Sequence, residues 1–357
     1  MKILIISVGG TISQKHDADR GGAAVSDDSA FKGDTFARLI KSAGQKLGID
    51  TIDSKTILNK DSSNMVSDDW KIIADTVVEN YDDYDAFVVT HGTNTMSYTT
   101  AAVSLAIGNL GKAVLFTGSQ VSYDVPGSDA VINLENILRV LKEKQELVGV
   151  FLIFGSKIIS GMKAKKTTEF NYDAFKTFGR YPDIGYMGNS ISLNTEALED
   201  HLKYIGSGSK FKIGLDVKND FDPNIVSITE FPGLKSEVFI NLAKSGVKGF
   251  ILRAFGAGDP NVAPEGASYP SLREAFEYLR DNKIPIVVTT QAPDGLASMT
   301  MNEPGVLAHE LGAIPAYDMS MEAMVTKLSW LLAQNCSYEQ IQQLMITSLR
   351  GEVHPTA

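Results

Sequence analysis

Residues 1–13 read MKILIISVGGTIS, and the fold is decided there. An apolar run, ILIISV at 3–8, passes without alternation into a Gly-Gly-Thr turn. Strands covered on both faces have this pattern, because a half-exposed strand alternates polar and apolar residues. The same unit recurs downstream. AFVVT at 86–90 runs into HGTNTM at 91–96, and AVLFT at 113–117 runs into GSQVS at 118–122. A further strand is expected at 51–58 and a further apolar run lies at 148–154. Helical patterns at 31–47, 67–80, 96–110 and 128–144 separate these runs, with Ser67 as a suitable N-cap ahead of Asp68 and Asp69. Short apolar strands alternating with helices predict a larger amino-terminal α/β domain, Rossmann-like, with a mostly parallel sheet.

Outward from this unit the pattern loosens and then resumes. The stretch after Met187 is polar and carries GSGS at 206–209, the composition of a linker. Strands are expected at 211–215, 225–229, 247–252 and 284–289. Helices are expected at 236–245, 272–282, 322–334 and 338–349. The expected organisation is a catalytic domain over 1–190, a linker over 191–210 and a smaller carboxy-terminal α/β domain over 211–357.

Composition removes several classes of function. The net charge of -10 argues against a nucleic-acid partner, since affinity for phosphate backbones comes from clustered Lys and Arg. Cys336 is the only cysteine, which excludes an intrachain disulfide and a thiolate metal site. The opening apolar run is too short to span a membrane and has no cleavage region. It reads as the first strand of a mature cytoplasmic enzyme, with no membrane partner. GGTISQ also lacks the third glycine of a dinucleotide-binding loop.

In parallel sheets the ligand site lies at the carboxyl ends of the strands. Here three such ends carry Gly, Thr and Ser: VGGTIS, VTHGTNTM and FTGSQVS. Glycines such as Gly10 and Gly92 let a substrate approach the backbone, whose N–H groups can hold a developing oxyanion. A threonine hydroxyl is a weak nucleophile until a neighbouring base takes its proton, so a second group must stand close in space.

The ordered series GGTIS (9–13), DSSNM (61–65), HGTNTM (91–96), TGSQ (117–120), PGSDAVINLENIL (126–138), GMKAKKTTEFNYDAF (161–175), LRAFGAGD (252–259) and DMSMEAMVTKLSWLL (318–332) resembles the bacterial-type L-asparaginases, particularly their cytoplasmic type I branch. The resemblance runs from Ile3 to about Gln334. It implies a larger catalytic domain, a linker and a smaller second domain. It also implies a homodimer or homotetramer with active sites at the subunit contact, a small amide as substrate, and no metal or organic cofactor. By the same resemblance Thr11 is the first-loop nucleophile, and Ser62 and Ser63 hold the substrate's α-carboxylate. Thr93 is the second threonine. Lys166 serves it, chosen over Lys163 and Lys165 by its nine-residue spacing to Phe175. His91 is implied to be structural.

Three departures from the family pattern bear on the substrate. Asn94 stands where the resemblance implies an aspartate that contacts the substrate's α-ammonium. A neutral amide forms no charge-assisted bond there, and loss of the carboxylate should make the neutral, basic form of Lys166 easier to reach. The first loop, QKHDADRGGAAVSDDSAF, lacks the expected Tyr, leaving His16 and Asp17 as polar candidates. Asp259 stands where the family often has Asn, which allows a relocated negative charge. The expectation is hydrolysis of L-asparagine to L-aspartate and ammonia. The alternatives are an amidohydrolase for a modified or N-substituted asparagine, or a catalytically silent homologue. A tRNA-dependent amidotransferase component shares these motifs but is expected to carry an extra amino-terminal domain.

Overall fold

The computed structural model describes residues 1–13, 16–17, 22–23, 34–205, 214–293 and 295–355. Most of the first loop therefore lies outside the described residues, as do the side chains of His16 and Asp17, the GSGS segment and the first three residues of the strand expected at 211–215. The chain divides into two compact units, Met1–Asn219 and Asp220–Ala357.

The first unit is built on an eight-stranded sheet. Its strands are β1 (Lys2–Gly9), β2 (Thr51–Lys60), β3 (Ala86–Thr90), β4 (Ala113–Thr117), β5 (Gly149–Phe154) and β6 (Lys157–Ser160), followed by β9 (Gly185–Met187) and β10 (Ile191–Leu193). Between β6 and β9, β7 (Ala164–Lys166) and β8 (Phe175–Thr177) form a separate antiparallel pair. The sheet order is β10-β9-β6-β5-β4-β3-β1-β2. The five strands β2, β1, β3, β4 and β5 are parallel to one another, and β6, β9 and β10 add antiparallel ladders.

Helices α1 (Asp34–Lys46), α2 (Ser67–Glu79), α3 (Met96–Ala106) and α4 (Ala130–Glu143) connect the parallel strands. Ile3, Ile5, Val88, Leu115 and Phe151 point to one sheet face, where they pack against Ile40 of α1 and Leu134, Ile137 and Leu138 of α4. The alternate residues Leu4, Ile6, Phe87, Val89 and Phe116 are equally buried. Burial of both parities explains why β1 reads as an unbroken apolar run. The first crossover leads from β1 to β2 on one side, and the chain then returns to place β3 on the other. The crevice at that reversal, between the carboxyl ends of β1 and β3, is where parallel sheets bind ligands.

Three expectations need correction. The segment from residue 191 is not a bare linker. It contributes β10 to the sheet and then α5 (Thr195–Lys203), whose N-cap Asn194 accepts from Ala197 N–H at 3.1 Å. The N-cap of α2 is Val66 rather than Ser67, because the Asp69 side chain reaches back to Val66 N–H at 2.8 Å. The helix expected over 96–110 stops at Ala106, where the chain turns extended and residues 107–108 pair with 216–217.

The second unit has a four-stranded parallel sheet: β11 (Ile225–Thr229), β12 (Gly249–Ala254), β13 (Ile286–Thr290) and β14 (Ile314–Pro315). Its helices are α6 (Ser236–Lys244), α7 (Arg273–Asp281), α8 (Glu303–Glu310), α9 (Met321–Ala333) and α10 (Tyr338–Met345). Phe239, Phe250 and Phe276 centre the core on one face; Val287, Met324 and Leu328 centre it on the other. No helix among the described residues is long and apolar enough to cross a membrane.

Candidate active site

The crevice between β1 and β3 is closed by glycine on both sides. Gly9 and Gly10 adopt φ of 109° and 85°, in the left-handed region that L side chains rarely enter. A Cβ on Gly10 would sit 2.3 Å from Gly92 N, so the Gly-Gly-Thr turn and the 91–95 loop touch backbone to backbone. A Cβ on Gly92 would in turn meet Ser62 Oγ at 2.5 Å. Gly10 N–H donates to Lys60 O at 3.1 Å, and Lys60 Nζ contacts both oxygens of the buried Asp69 carboxylate at 2.7 and 2.8 Å. The first turn is thereby anchored to the end of β2 and the start of α2. Half-buried Thr11 follows at once and opens a 3₁₀ turn over Thr11–Ser13.

The second loop brings five of the residues singled out from the sequence together. Lys166 Nζ lies 2.9 Å from Thr93 Oγ1 and 2.9 Å from Asn94 Oδ1. Asn94 Nδ2 donates to Ser63 Oγ at 2.9 Å, and Asn94 N–H donates to Ser62 Oγ at 3.2 Å. Thr95 Oγ1 donates to Ser62 O at 2.7 Å, which fixes the two loops against each other. Lys166 ends β7 and is the register partner of Phe175 on β8, so the nine-residue spacing spans a short antiparallel connection. Lys163 instead places its ammonium over the Tyr181 ring, 4.1 Å from its centroid.

His91 lies under this arrangement and is fully buried. Its Nδ1 donates to Gly92 O at 2.7 Å, and its Nε2 accepts from Thr99 Oγ1 at 2.9 Å. Burial drives its pKa down to about 4, which keeps the ring neutral. With both nitrogens committed to the loop and α3, it is a scaffold group rather than a base.

Three contacts escaped the sequence reading. Asp129, just before α4, accepts from Gln120 N–H and Val121 N–H at 3.0 Å and from Asn133 Nδ2 at 3.0 Å. Asn133 Nδ2 also donates to Gly118 O at 3.0 Å, so one helical turn holds the TGSQ loop in shape. The signal was an Asp and an Asn four apart after Pro-Gly. Lys60 with Asp69 was the second. The third is Glu169, whose Oε2 lies 3.0 Å from Lys166 Nζ. It gives Lys166 a carboxylate partner from its own turn, where Asn94 supplies none.

Asp259 belongs to the second unit. Its Oδ2 accepts from Ala257 N–H at 3.2 Å and from Asn302 Nδ2 at 2.7 Å, holding its own loop. Its Oδ1 is buried and has no hydrogen-bond partner among the described residues.

Two Gly-lined strand ends at a topological switch point, with hydroxyls and an ammonium gathered beside them, form the kind of crevice in which α/β folds bind small ligands. Comparison with known proteins fixes the family. The family model described as Asparaginase, N-terminal, matches residues 2–199, and that described as Glutaminase/Asparaginase C-terminal domain matches 224–345. The L-asparaginase of Thermococcus kodakarensis is 34% identical over 353 residues, covering 99% of each chain; its solved structure superposes with a TM-score of 0.83. L-asparaginase 1 of Escherichia coli is 34% identical, covering 83% of this chain and 82% of its own. A glutamyl-tRNA(Gln) amidotransferase subunit from Aeropyrum pernix is 30% identical over 99% of this chain and 79% of its own. The chain belongs to the asparaginase family and is an amidohydrolase of that kind.

Proposed function

We propose that the chain hydrolyses a small side-chain carboxamide, with L-asparagine as the leading substrate, through a threonine nucleophile. The observation that carries the reading is the 2.9 Å contact between Lys166 Nζ and Thr93 Oγ1, beside the backbone contact of Gly10 and Gly92. In the proposed sequence Thr11 Oγ1 attacks the carboxamide carbon, and loop N–H groups hold the tetrahedral oxyanion. The amide nitrogen takes up the proton that Thr11 Oγ1 gives up on attack and leaves as ammonia. A water polarised by Thr93 and Lys166 then attacks the acyl-threonine ester, releasing the carboxylate product and restoring the hydroxyl. Ser62 and Ser63 bind the substrate's α-carboxylate end, and Asp259 serves its amino end from the second unit of a neighbouring copy. The working form is a cytoplasmic homodimer or homotetramer.

A second reading is favoured by Asn94. Its amide is spent on Lys166 and Ser63, and it carries no charge for an α-ammonium. A substrate whose amino group is substituted loses nothing at such a position, whereas free asparagine does. Steady-state ammonia release separates the two. Turnover of free L-asparagine at about 1–1000 per second supports the first reading. Turnover only of Nα-substituted or peptidyl asparagine supports the second, and in that case Asn94→Asp raises kcat/KM for free asparagine about tenfold. No ammonia from any carboxamide rejects both.

A further inference from the structure

Lys166 has three N–H donors as an ammonium, and three acceptors stand on it: Thr93 Oγ1 at 2.9 Å, Asn94 Oδ1 at 2.9 Å and Glu169 Oε2 at 3.0 Å. Two of these are neutral, so Glu169 is the charged one. The environments of the two groups differ sharply: the Lys166 side chain is 13% exposed and the Glu169 side chain 70%. Asn94 cannot make good the charge, because its Oδ1 already accepts from Lys166 and its Nδ2 donates to Ser63 Oγ.

A lysine side chain has four rotatable bonds, so where its ammonium rests depends on its acceptors. Thr93 alone offers a single neutral oxygen. Thr167, next to Lys166, donates its N–H to Ala174 O at 2.8 Å, extending the β7–β8 ladder by one bond. Phe170 N–H donates to Thr168 Oγ1 at 3.1 Å, which tightens the turn after the strand. The turn carries Glu169 back over Lys166 at a spacing of three residues.

We infer that Glu169 is the positioning residue of the site: its carboxylate holds the Lys166 ammonium against Thr93 Oγ1, the task that a carboxylate at position 94 would otherwise perform. The inference rests on the amidohydrolase reading only for its kinetic consequence. The ion pair itself is a statement about geometry and charge. The position of Asn94 supplies the control. A carboxylate there has an oxygen 2.9 Å from the same ammonium, so Asn94→Asp makes Glu169 redundant.

The test is a double-mutant cycle on the whole protein, read in two ways. The first is ammonia release from the best carboxamide substrate. Glu169→Gln lowers kcat about fivefold with KM changed less than about twofold, and in the Asn94→Asp background the same change costs less than about twofold. The second readout needs no turnover. Lysines are labelled with a trace acylating reagent, which attacks only the uncharged amine, and the modified peptides are quantified by mass spectrometry. Labelling at Lys166 rises about threefold in Glu169→Gln and returns to the wild-type level in the double variant, while Lys142 and Lys203 serve as internal references. Equal labelling of Lys166 with and without Glu169 overturns the inference, as do strictly additive effects of the two substitutions. Absence of ammonia release from the wild type counts against the amidohydrolase reading alone, and the labelling arm then decides the role of Glu169.

Discussion

Gly10 is the residue on which the geometry of the site turns. Its φ of 85°, and the 2.3 Å that would separate a Cβ at this position from Gly92 N, leave no room for any side chain. Gly10→Ala therefore costs about 2–5 kcal/mol, from left-handed backbone strain and from overpacking. It also pushes the two threonine loops apart. Thermal unfolding should show a lowered Tm and the assay a loss of at least about a hundredfold in kcat. A variant with wild-type Tm would mean that the loops are not in contact. At this scale much was legible. Thr11, Ser62, Thr93 and Lys166 were singled out by the family resemblance that short motifs carry, and the structure ties Ser62 and Lys166 to the loop that bears Thr93. Glu169 was not legible, since an acidic residue in a polar turn resembles any solvated residue until the turn's path is known.

Elements were read well where their pattern was long and poorly where it was short. Four of the five parallel strands, β1, β3, β4 and β5, announce themselves because both faces are buried. The antiparallel strands β6 to β10 are three or four residues long, too short for a period to show, and β10 was absorbed into a supposed linker. Polar hubs leave a fainter mark in sequence, here an Asp and an Asn four apart after Pro-Gly. Asp129 accepts two loop N–H groups and the Asn133 amide, so Asp129→Ala strands buried donors in the TGSQ loop. The expected loss is about 2–3 kcal/mol, and Asp129→Asn, which keeps one acceptor oxygen, recovers part of it in urea unfolding. In the second unit the fully buried pair of Lys327 and Glu352 ties α9 to the chain's carboxy-terminal segment at 2.6 Å. Lys327 Nζ also donates to Met345 O at 3.1 Å and Thr347 O at 2.6 Å, while Glu352 accepts from Leu349 and Arg350 N–H. Lys327→Met leaves a buried carboxylate unpaired and costs about 3–5 kcal/mol; adding Glu352→Gln recovers a measurable part of it. Equal unfolding free energies for the single and double variants would show that the charge is not what matters.

At the scale of the whole molecule, buried titratable groups predict opposite pH trends for the two units between about pH 5 and 8. His91 and His201, both in the first unit, are held by burial at about 4, below the ordinary value of 6.5. Their contribution to stability is full above pH 6.5 and is lost as the pH falls toward 4, because the unfolded chain then binds protons that the folded unit refuses. Each histidine accounts for about 1.4 kcal/mol per pH unit within that window. Glu230, in the second unit, is pushed up by burial to about 7 from 4.5, against the opposing bond from Asn261 N–H. Its contribution is present below pH 4.5 and is lost as the pH rises through 7. The chain's two tryptophans, Trp70 and Trp330, fall one in each unit, so Trp330→Phe and Trp70→Phe leave one reporter apiece. Urea midpoints followed by fluorescence should fall for the first unit between about pH 7 and 5. For the second they should fall between about pH 5 and 8, and Glu230→Gln should flatten that decline. A second-unit slope unchanged by Glu230→Gln would contradict the assignment.

Everything proposed for the reaction depends on a threonine at the end of the first strand carrying the acyl group. Rapid acid quench during turnover, followed by peptide mass mapping, puts that dependence to the proof. An acyl ester on Thr11 is expected in the wild type, accumulating further in Thr93→Ala and Lys166→Met, where the water is poorly activated. Steady turnover with the acyl group on another residue, or with no ester in either variant, would contradict it.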